Sequence, residues 1–247
     1  MSILDSVIKE SPPRPRRTLV YGPEGIGKST FAAAWPQSLV IQTEDGLADI
    51  ACARLPLAKS WADVEAAFLA LCKEPHEFKA IVIDSIDWLE RLIWVEVCKA
   101  HKVDSIDEIG FFRGYTFALA WWARVIKALD YLRQERGCEA VLVAHSKIEK
   151  VPLPGLDPFE RFEPKINKHA QHLLIEWCDE VLFARWEIQT RKTEEGFGKA
   201  RIRAIGGTDR VLCCHPTAAW IAKTRLRHLP AAMELDTTAY LAARRLP

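Results

Sequence analysis

Long apolar runs are missing from this chain. No window approaches the ~18 consecutive apolar residues of a membrane-spanning helix, so no membrane partner is expected. An excess of one charge is missing too: Lys plus Arg number 34 against 33 for Asp plus Glu. A net charge of +1 names no partner, and any nucleic-acid surface has to be a local patch. Cysteines in metal or redox spacing are absent. Cys52, Cys72, Cys98, Cys138, Cys178, Cys213 and Cys214 are odd in number, form no C-x-x-C, and partly sit inside apolar runs. Reduced thiols in a cytoplasmic core are expected rather than a disulfide framework. Cys213-Cys214-His215 lacks a second ligand pair and does not read as zinc. The opening MSILDSVIKESPPRPRR has no long apolar stretch and no cleavage site, so no signal peptide is expected.

What is present is enough apolar sequence for a core. The 247 residues are 49% hydrophobic and 27% charged, which excludes wholesale disorder and fits one large α/β domain. Residues 1–16 read as an arm, a short apolar patch followed by Ser-Pro-Pro-Arg-Pro-Arg, whose prolines favour an extended path. It reads equally as a contact for nucleic acid or a neighbouring subunit and as a solvated tail. Residues 17–230 read as the core and 231–247 as a C-terminal helical tail.

Within the core, β-rich runs alternate with amphipathic segments. Strands are expected at Thr18–Tyr21, Leu39–Gln42, Ala80–Asp84, Ala140–Ala144 and Glu180–Arg185. Helices are expected at about 28–35, 60–73, 87–101, 113–136, 167–177 and 237–245. Runs such as AIVID and AVLVAH suit strands buried on both faces, and the alternation implies a mostly parallel sheet flanked by helices. After residue 186, WEIQTRKTEEGFGKARIRAIGG predicts a β extension of two segments around a polar turn. Residues 191–230 hold nine Lys/Arg and three acids.

GPEGIGKST, spanning Gly22, Pro23, Glu24, Gly25, Ile26, Gly27, Lys28, Ser29 and Thr30, satisfies G-x-x-x-x-G-K-[ST] between a strand and a helix. The glycines let the backbone turn tightly and aim several N–H groups at one anion. Lys28 can then bridge the terminal phosphates of ATP, and the Ser29 hydroxyl can hold Mg²⁺. Asp84 closes the apolar strand AIVID, at the sheet edge where open α/β folds bind ligands, and reads as the second Mg²⁺ residue. The bland alternative for Asp84 is a strand-capping acid.

Hydrolysis requires a group that orients and deprotonates water. In AAA+ machines a Glu directly follows the metal Asp; here Ser85 stands in that place. Glu44, at the end of SLVIQTE, is the alternative. With AVLVAHSK at 140–147 and the pair Lys223-x-Arg225, these motifs resemble the RecA superfamily. A Glu closing the strand after the P-loop helix acts there as base, so the resemblance gives Glu44 that role. It makes His145 the γ-phosphate sensor, a departure from the Gln usual in RecA and DnaB-type proteins. It makes Lys223 and Arg225 a finger reaching a neighbour's ATP site; side chains two apart on a strand point the same way. Each also reads more plainly: Glu44 as a turn acid, His145 as a structural imidazole, Lys223 and Arg225 as edge charges.

Taken in order over roughly residues 17–230, the motifs resemble the small phage-type, single-core RecA-like ATPases of the Sak-four group. That resemblance implies ATP hydrolysis stimulated by single-stranded DNA and a role in phage homologous recombination, by annealing or strand exchange. It also implies a homo-oligomeric ring or filament, a phage single-strand-binding or annealing protein as partner, and a cytoplasmic setting. In such cores a mobile loop after the sensor strand meets DNA. Its counterpart is residues 146–170, with Lys147, Lys150, Arg161, Lys165 and Lys168 to follow phosphates and Phe159 and Phe162 to stack on bases. The Phe pair reads otherwise as a loop anchor. Three further functions remain open: an ATPase subunit of a helicase or packaging machine, a nucleotide-dependent protein switch without DNA binding, and, more weakly, a small-molecule kinase.

Overall fold

The computed structural model describes residues 4, 7, 14–155, 157–195 and 199–245. The expected arm therefore lies mostly outside the described residues, as does the tip of the turn after residue 195.

Five strands run parallel: β1 (Arg17–Gly22), β2 (Ser38–Gln42), β3 (Ala80–Asp84), β4 (Glu139–Val151) and β6 (Glu180–Glu195), in the order β2-β3-β4-β1-β6. β5 (Phe159–Pro164) pairs antiparallel with the outer half of β4. β7 (Lys199–Cys213) and β8 (Ala232–Glu234) extend the sheet antiparallel beyond β6. This is the α/β class with a mostly parallel sheet and a β extension. No described helix is long and apolar enough to cross a membrane.

Alternation along the strands builds two layers. Leu19, Tyr21, Ile41, Ile81, Ile83, Leu142 and Phe183 pack on one face, under α2 (Trp61–Lys73), α3 (Ile86–His101), α4 (Arg113–Glu135) and α5 (Lys168–Trp177). Val20, Val40, Val82, Val141, Val143 and Leu182 pack on the other, under α1 (Lys28–Ala33) and α6 (Thr237–Arg244). α6 lies in the segment expected as a helical tail. Its Tyr240 is fully buried and donates to Glu180 Oε2 (2.7 Å), Thr237 donates to Phe31 O (2.6 Å), and Arg244 forks onto Glu139 (3.0 Å twice).

One segment differs from expectation. Residues 146–170 are not a long loop. β4 runs on to Val151 and returns as β5, with Lys147 opposite Glu163 and Lys150 opposite Glu160, and α5 begins at Lys168. The outer half of β4 is mostly polar, so the apolar signal stops where burial stops, while the backbone ladder continues. The two β segments expected after residue 186 are there, as the continuation of β6 past Arg185 to Glu195 and as β7, which pairs with it.

β1 and β2 are not neighbours: the chain leaves β1, crosses β4 and β3, and returns at the sheet edge. Such a reversal leaves a crevice at the C-terminal ends of the strands. Gly22 is in register with His145, and Asp84 with Gln42 and Val143, so the motif residues meet in that crevice.

Candidate functional site

The crevice is built from the ends of β1, β2, β3 and β4. At Gly22, a Cβ would lie 2.2 Å from the carbonyl oxygen of Ala184 on β6, so only glycine permits this approach. At Gly27 φ is +103°, a conformation that turns the chain into α1. Pro23, Glu24, Gly25 and Ile26 form the loop between, with Ile26 buried beneath it. The resulting cavity is about 450 Å³ and is lined among others by Lys28, Ser29, Thr30, Glu44, Asp84 and His145, within the size range of small-ligand sites.

Lys28 is 5% exposed and folds back to donate to Pro23 O (2.8 Å). Burial lowers its pKa, opposed by the nearby Asp84, Glu24, Asp87 and Glu44. A buried ammonium whose one hydrogen bond among the described residues goes to a carbonyl is a ready partner for an anion. Asp84 is also buried, and burial raises its pKa against a hydrogen bond from Ser29. A hydroxyl and a carboxylate side by side form an all-oxygen donor pair, the chemistry a hard cation such as Mg²⁺ takes.

Glu44 follows β2 and accepts from Ser85 Oγ (2.9 Å). The strand ends are tied together there: Thr43 N–H donates to Asp84 O (2.8 Å) and Thr43 Oγ1 to Ser85 O (2.6 Å). His145 sits mid-way along β4 and is held twice by Asp87. Its backbone N–H donates to Asp87 Oδ1 (3.0 Å), and its Nδ1 lies 2.9 Å from Oδ2 and 3.8 Å from Glu44 Oε2. With carboxylates on that side the proton belongs on Nδ1. The hydrogen bond to Asp87 raises the pKa of His145. For Asp87, burial pushes upward, but the bonds from His145 outweigh it and the pKa falls below the ordinary carboxylate value.

Lys223 and Arg225 lie elsewhere. Lys223 pairs with Val181 near the start of β6, at the opposite end of the sheet from the P-loop. Its Nζ donates to the carbonyls of Ile175 (2.8 Å), Glu176 (3.1 Å) and Cys178 (2.7 Å), closing the C-terminus of α5. Arg225 is largely exposed, with Nη1 3.5 Å from Asp179 Oδ1. Neither reaches the cavity of its own chain.

The residues expected to meet DNA divide. Lys147 and Lys150 stand on β4, with Lys147 paired to Glu149 (2.9 Å). Arg161 is held by Glu163 (2.6 Å), and Phe162 stacks on Phe183 with ring centroids 5.1 Å apart. Phe159 is half-buried opposite Val151. Lys165 is exposed, 4.0 Å from P-loop Glu24, and Lys168 is exposed at the start of α5.

Asp87 falls within the motif IVIDSID and, with Asp45, stands behind Glu44 as a candidate base in the sequence. Its pairing with His145 carries no sequence signal, and sequence reasoning missed several other groups near the site. Asp87, in the first turn of α3, also lines a second cavity of about 310 Å³ with Glu90, Lys147 and Lys165. Glu90 is buried there, which pushes its pKa up to about 7. That cavity shares Arg91, Trp94 and Tyr115 with a larger one of about 580 Å³, which Lys99 and Lys102 also line. Phe111 and Phe112 are 92% and 74% exposed beside Arg113; the string GFFRG at 110–114 is the signal that marks them. Arg210 of β7 lines the nucleotide-sized cavity and had no motif to flag it.

No curated protein matches the chain. Among solved structures, a crystal structure of the RadB recombinase aligns over 81% of this chain and 80% of that chain, at 13% identity and a TM-score of 0.46. Residues 14–226, which hold the P-loop and every other cavity residue named above, match the family described as AAA domain, and the chain belongs to that family.

Proposed function

We propose that this protein is a RecA-like ATPase that binds and hydrolyses ATP with Mg²⁺ and assembles on single-stranded DNA in phage-type homologous recombination. The observation that carries the reading is the convergence of Lys28, Ser29, Asp84, Glu44 and His145 on one cavity. Lys28 exchanges the Pro23 carbonyl for phosphate oxygens. Ser29 and Asp84 would hold Mg²⁺, which neutralises phosphate charge when bound. Glu44, oriented by Ser85, accepts the proton of the attacking water. His145, with Nδ1 occupied by Asp87, keeps Nε2 for the terminal phosphate.

Support for a nucleic-acid surface comes from the cavities beyond Asp87. Lys147, Lys165, Arg91, Lys99 and Lys102 line two openings that share aromatic residues, Trp94 and Tyr115. Cations beside aromatic faces suit a flexible single strand. Phe111 and Phe112 add exposed rings, whereas Phe162 is engaged with Phe183.

The test is turnover with and without single-stranded DNA, in wild type, Lys28→Ala and Glu44→Gln. We expect DNA to raise the wild-type rate, Lys28→Ala to lose ATP binding, and Glu44→Gln to bind ATP while turning over roughly 10²–10⁴-fold more slowly. Unchanged turnover in Glu44→Gln would move the base elsewhere. ATP hydrolysis with no DNA binding and no DNA response would favour the nucleotide-dependent protein switch instead.

A further inference from the structure

Arg210 stands on β7, far along the chain from the P-loop, yet its guanidinium lies against that loop. A Cβ placed on Gly27 would be 2.8 Å from Arg210 Nη1 and 3.8 Å from Cζ. The guanidinium thus occupies the space that a side chain at position 27 would need, on the wall of the nucleotide-sized cavity. Its placement is built from both sides. Trp186, the cross-strand partner of Arg210 on β6, lies beneath it with the ring centroid 5.2 Å from Cζ. The Arg210 carbonyl accepts from Leu235 N–H (3.0 Å), which fixes the backbone just after β8. Among the described residues no carboxylate pairs with this guanidinium, so its donors are available to an anion entering the cavity.

The sheet order says which part of a nucleotide it meets. Glu44, Asp84 and His145 follow or lie on β2, β3 and β4, all on one side of β1. They surround Lys28 and Ser29, where the reacting phosphate belongs. β6 and β7 lie on the other side of β1, so Arg210 faces the reacting groups from across the loop. We propose that Arg210 is a nucleotide-affinity residue acting on the P-loop of its own chain, pairing with the non-reacting α-phosphate of adenosine di- and triphosphates. The inference rests on the cavity being the ATP site. A planar fork backed by an indole face is suited to bidentate phosphate binding. A contact to a phosphate that does not change in the reaction binds ground and transition states alike, so its loss falls on affinity rather than on the chemical step.

The experiment is a titration of the full chain, with Mg²⁺, by a fluorescent ADP and by ATP, in wild type, Arg210→Ala, Arg210→Lys and Lys28→Ala. Steady-state kinetics and nucleotide-dependent melting run alongside. Arg210→Ala should weaken ADP and ATP together by about ten- to a hundredfold, the range of a charge-assisted hydrogen bond. KM should rise with the smaller change in kcat, and Arg210→Lys should recover only part of the affinity. Without nucleotide the variant should melt close to wild type, and the melting shift induced by ADP should shrink. If Arg210→Ala misfolds, Arg210→Lys decides by its own affinity for ADP. Wild-type ADP affinity in the Arg210 variants, with Lys28→Ala defective, overturns this inference alone. So does a fall in kcat at unchanged KM, which would put Arg210 on the reacting phosphate. Absence of nucleotide binding by the wild type overturns the ATP-site reading and this inference together.

Discussion

Asp87 and His145 illustrate what single residues contribute beyond the phosphate loop. The pair is nearly buried, and each partner shifts the other in the direction that favours both charges: His145 above its ordinary 6.5, Asp87 below its ordinary 3.8. Each shift ties folding stability to pH. The raised His145 contributes stability that is complete below about pH 6.5 and is lost as pH rises through its folded value. The depressed Asp87 contributes stability that is complete above about pH 3.8 and is lost as pH falls through its folded value. The pair therefore helps most between those limits. Glu44 supports the imidazolium and Lys28 opposes it, so the window holds for nucleotide-free protein. Asp87→Asn should lower unfolding stability by roughly 1–3 kcal/mol at pH 5–6, with the gap narrowing toward pH 8. Urea titrations across that range give the answer, and a gap independent of pH would mean that the pair is held as a neutral hydrogen bond. Sequence alone exposed His145, because a strand leads to it. Asp87 is 58 residues upstream, and only the fold brings them together.

At the scale of elements, the parallel strands were legible because burial on both faces makes them apolar throughout, as in AIVID and AVLVAH. The outer half of β4 was not, since its side chains are mostly polar and its backbone pairing leaves no periodic apolar trace, whereas the extension of β6 and β7 was marked by two β-rich runs around a polar turn. The P-loop was legible for a different reason: its spacing is a property of local backbone geometry and needs no tertiary context. What the motif does not reveal is how closely β1 and β6 approach where the loop begins. Gly22→Ala would put a methyl 2.2 Å from Ala184 O, a backbone atom just past the last paired position of β1 and β6 and held on its other side by the pairing of Ala184 with Leu212 of β7. We expect a loss of roughly 1–3 kcal/mol, together with weakened ATP binding, because the strands must part at the base of the loop. Chemical denaturation measures the first and nucleotide titration the second. Normal stability with normal binding would show that the two strands shift apart without cost. Gly46 gives the control, since nothing lies within 4 Å of a Cβ placed there.

On the scale of the whole molecule, the two halves of the proposed finger have different work. Lys223 is taken up by three carbonyls at the end of α5, and burial followed by Arg225 lowers its pKa. Arg225 is the more available cation, exposed at the sheet end opposite the P-loop and only loosely paired with Asp179. A cation there meets a γ-phosphate only in another subunit, which requires head-to-tail contacts and hence a ring or filament. Two outcomes should separate. Lys223→Ala should destabilise the fold, leaving the end of α5 uncapped at about 1 kcal/mol or somewhat more. Arg225→Ala should leave stability close to wild type while cutting turnover by roughly a thousandfold, the scale of a lost arginine finger. Mixing decides whether the effect crosses an interface. Lys28→Ala retains Arg225, and Arg225→Ala retains its P-loop, so mixed assemblies contain some junctions with both parts intact and should regain part of the activity. The mixture needs to be followed across protein concentration, with co-assembly shown independently. Activity that stays absent in proven mixed assemblies, or wild-type turnover that persists per subunit down to a proven monomer, would remove Arg225 from the ATP site. The Arg225–Asp179 pair would then be read as a surface ion pair at the foot of β6, worth little to stability in that exposed setting.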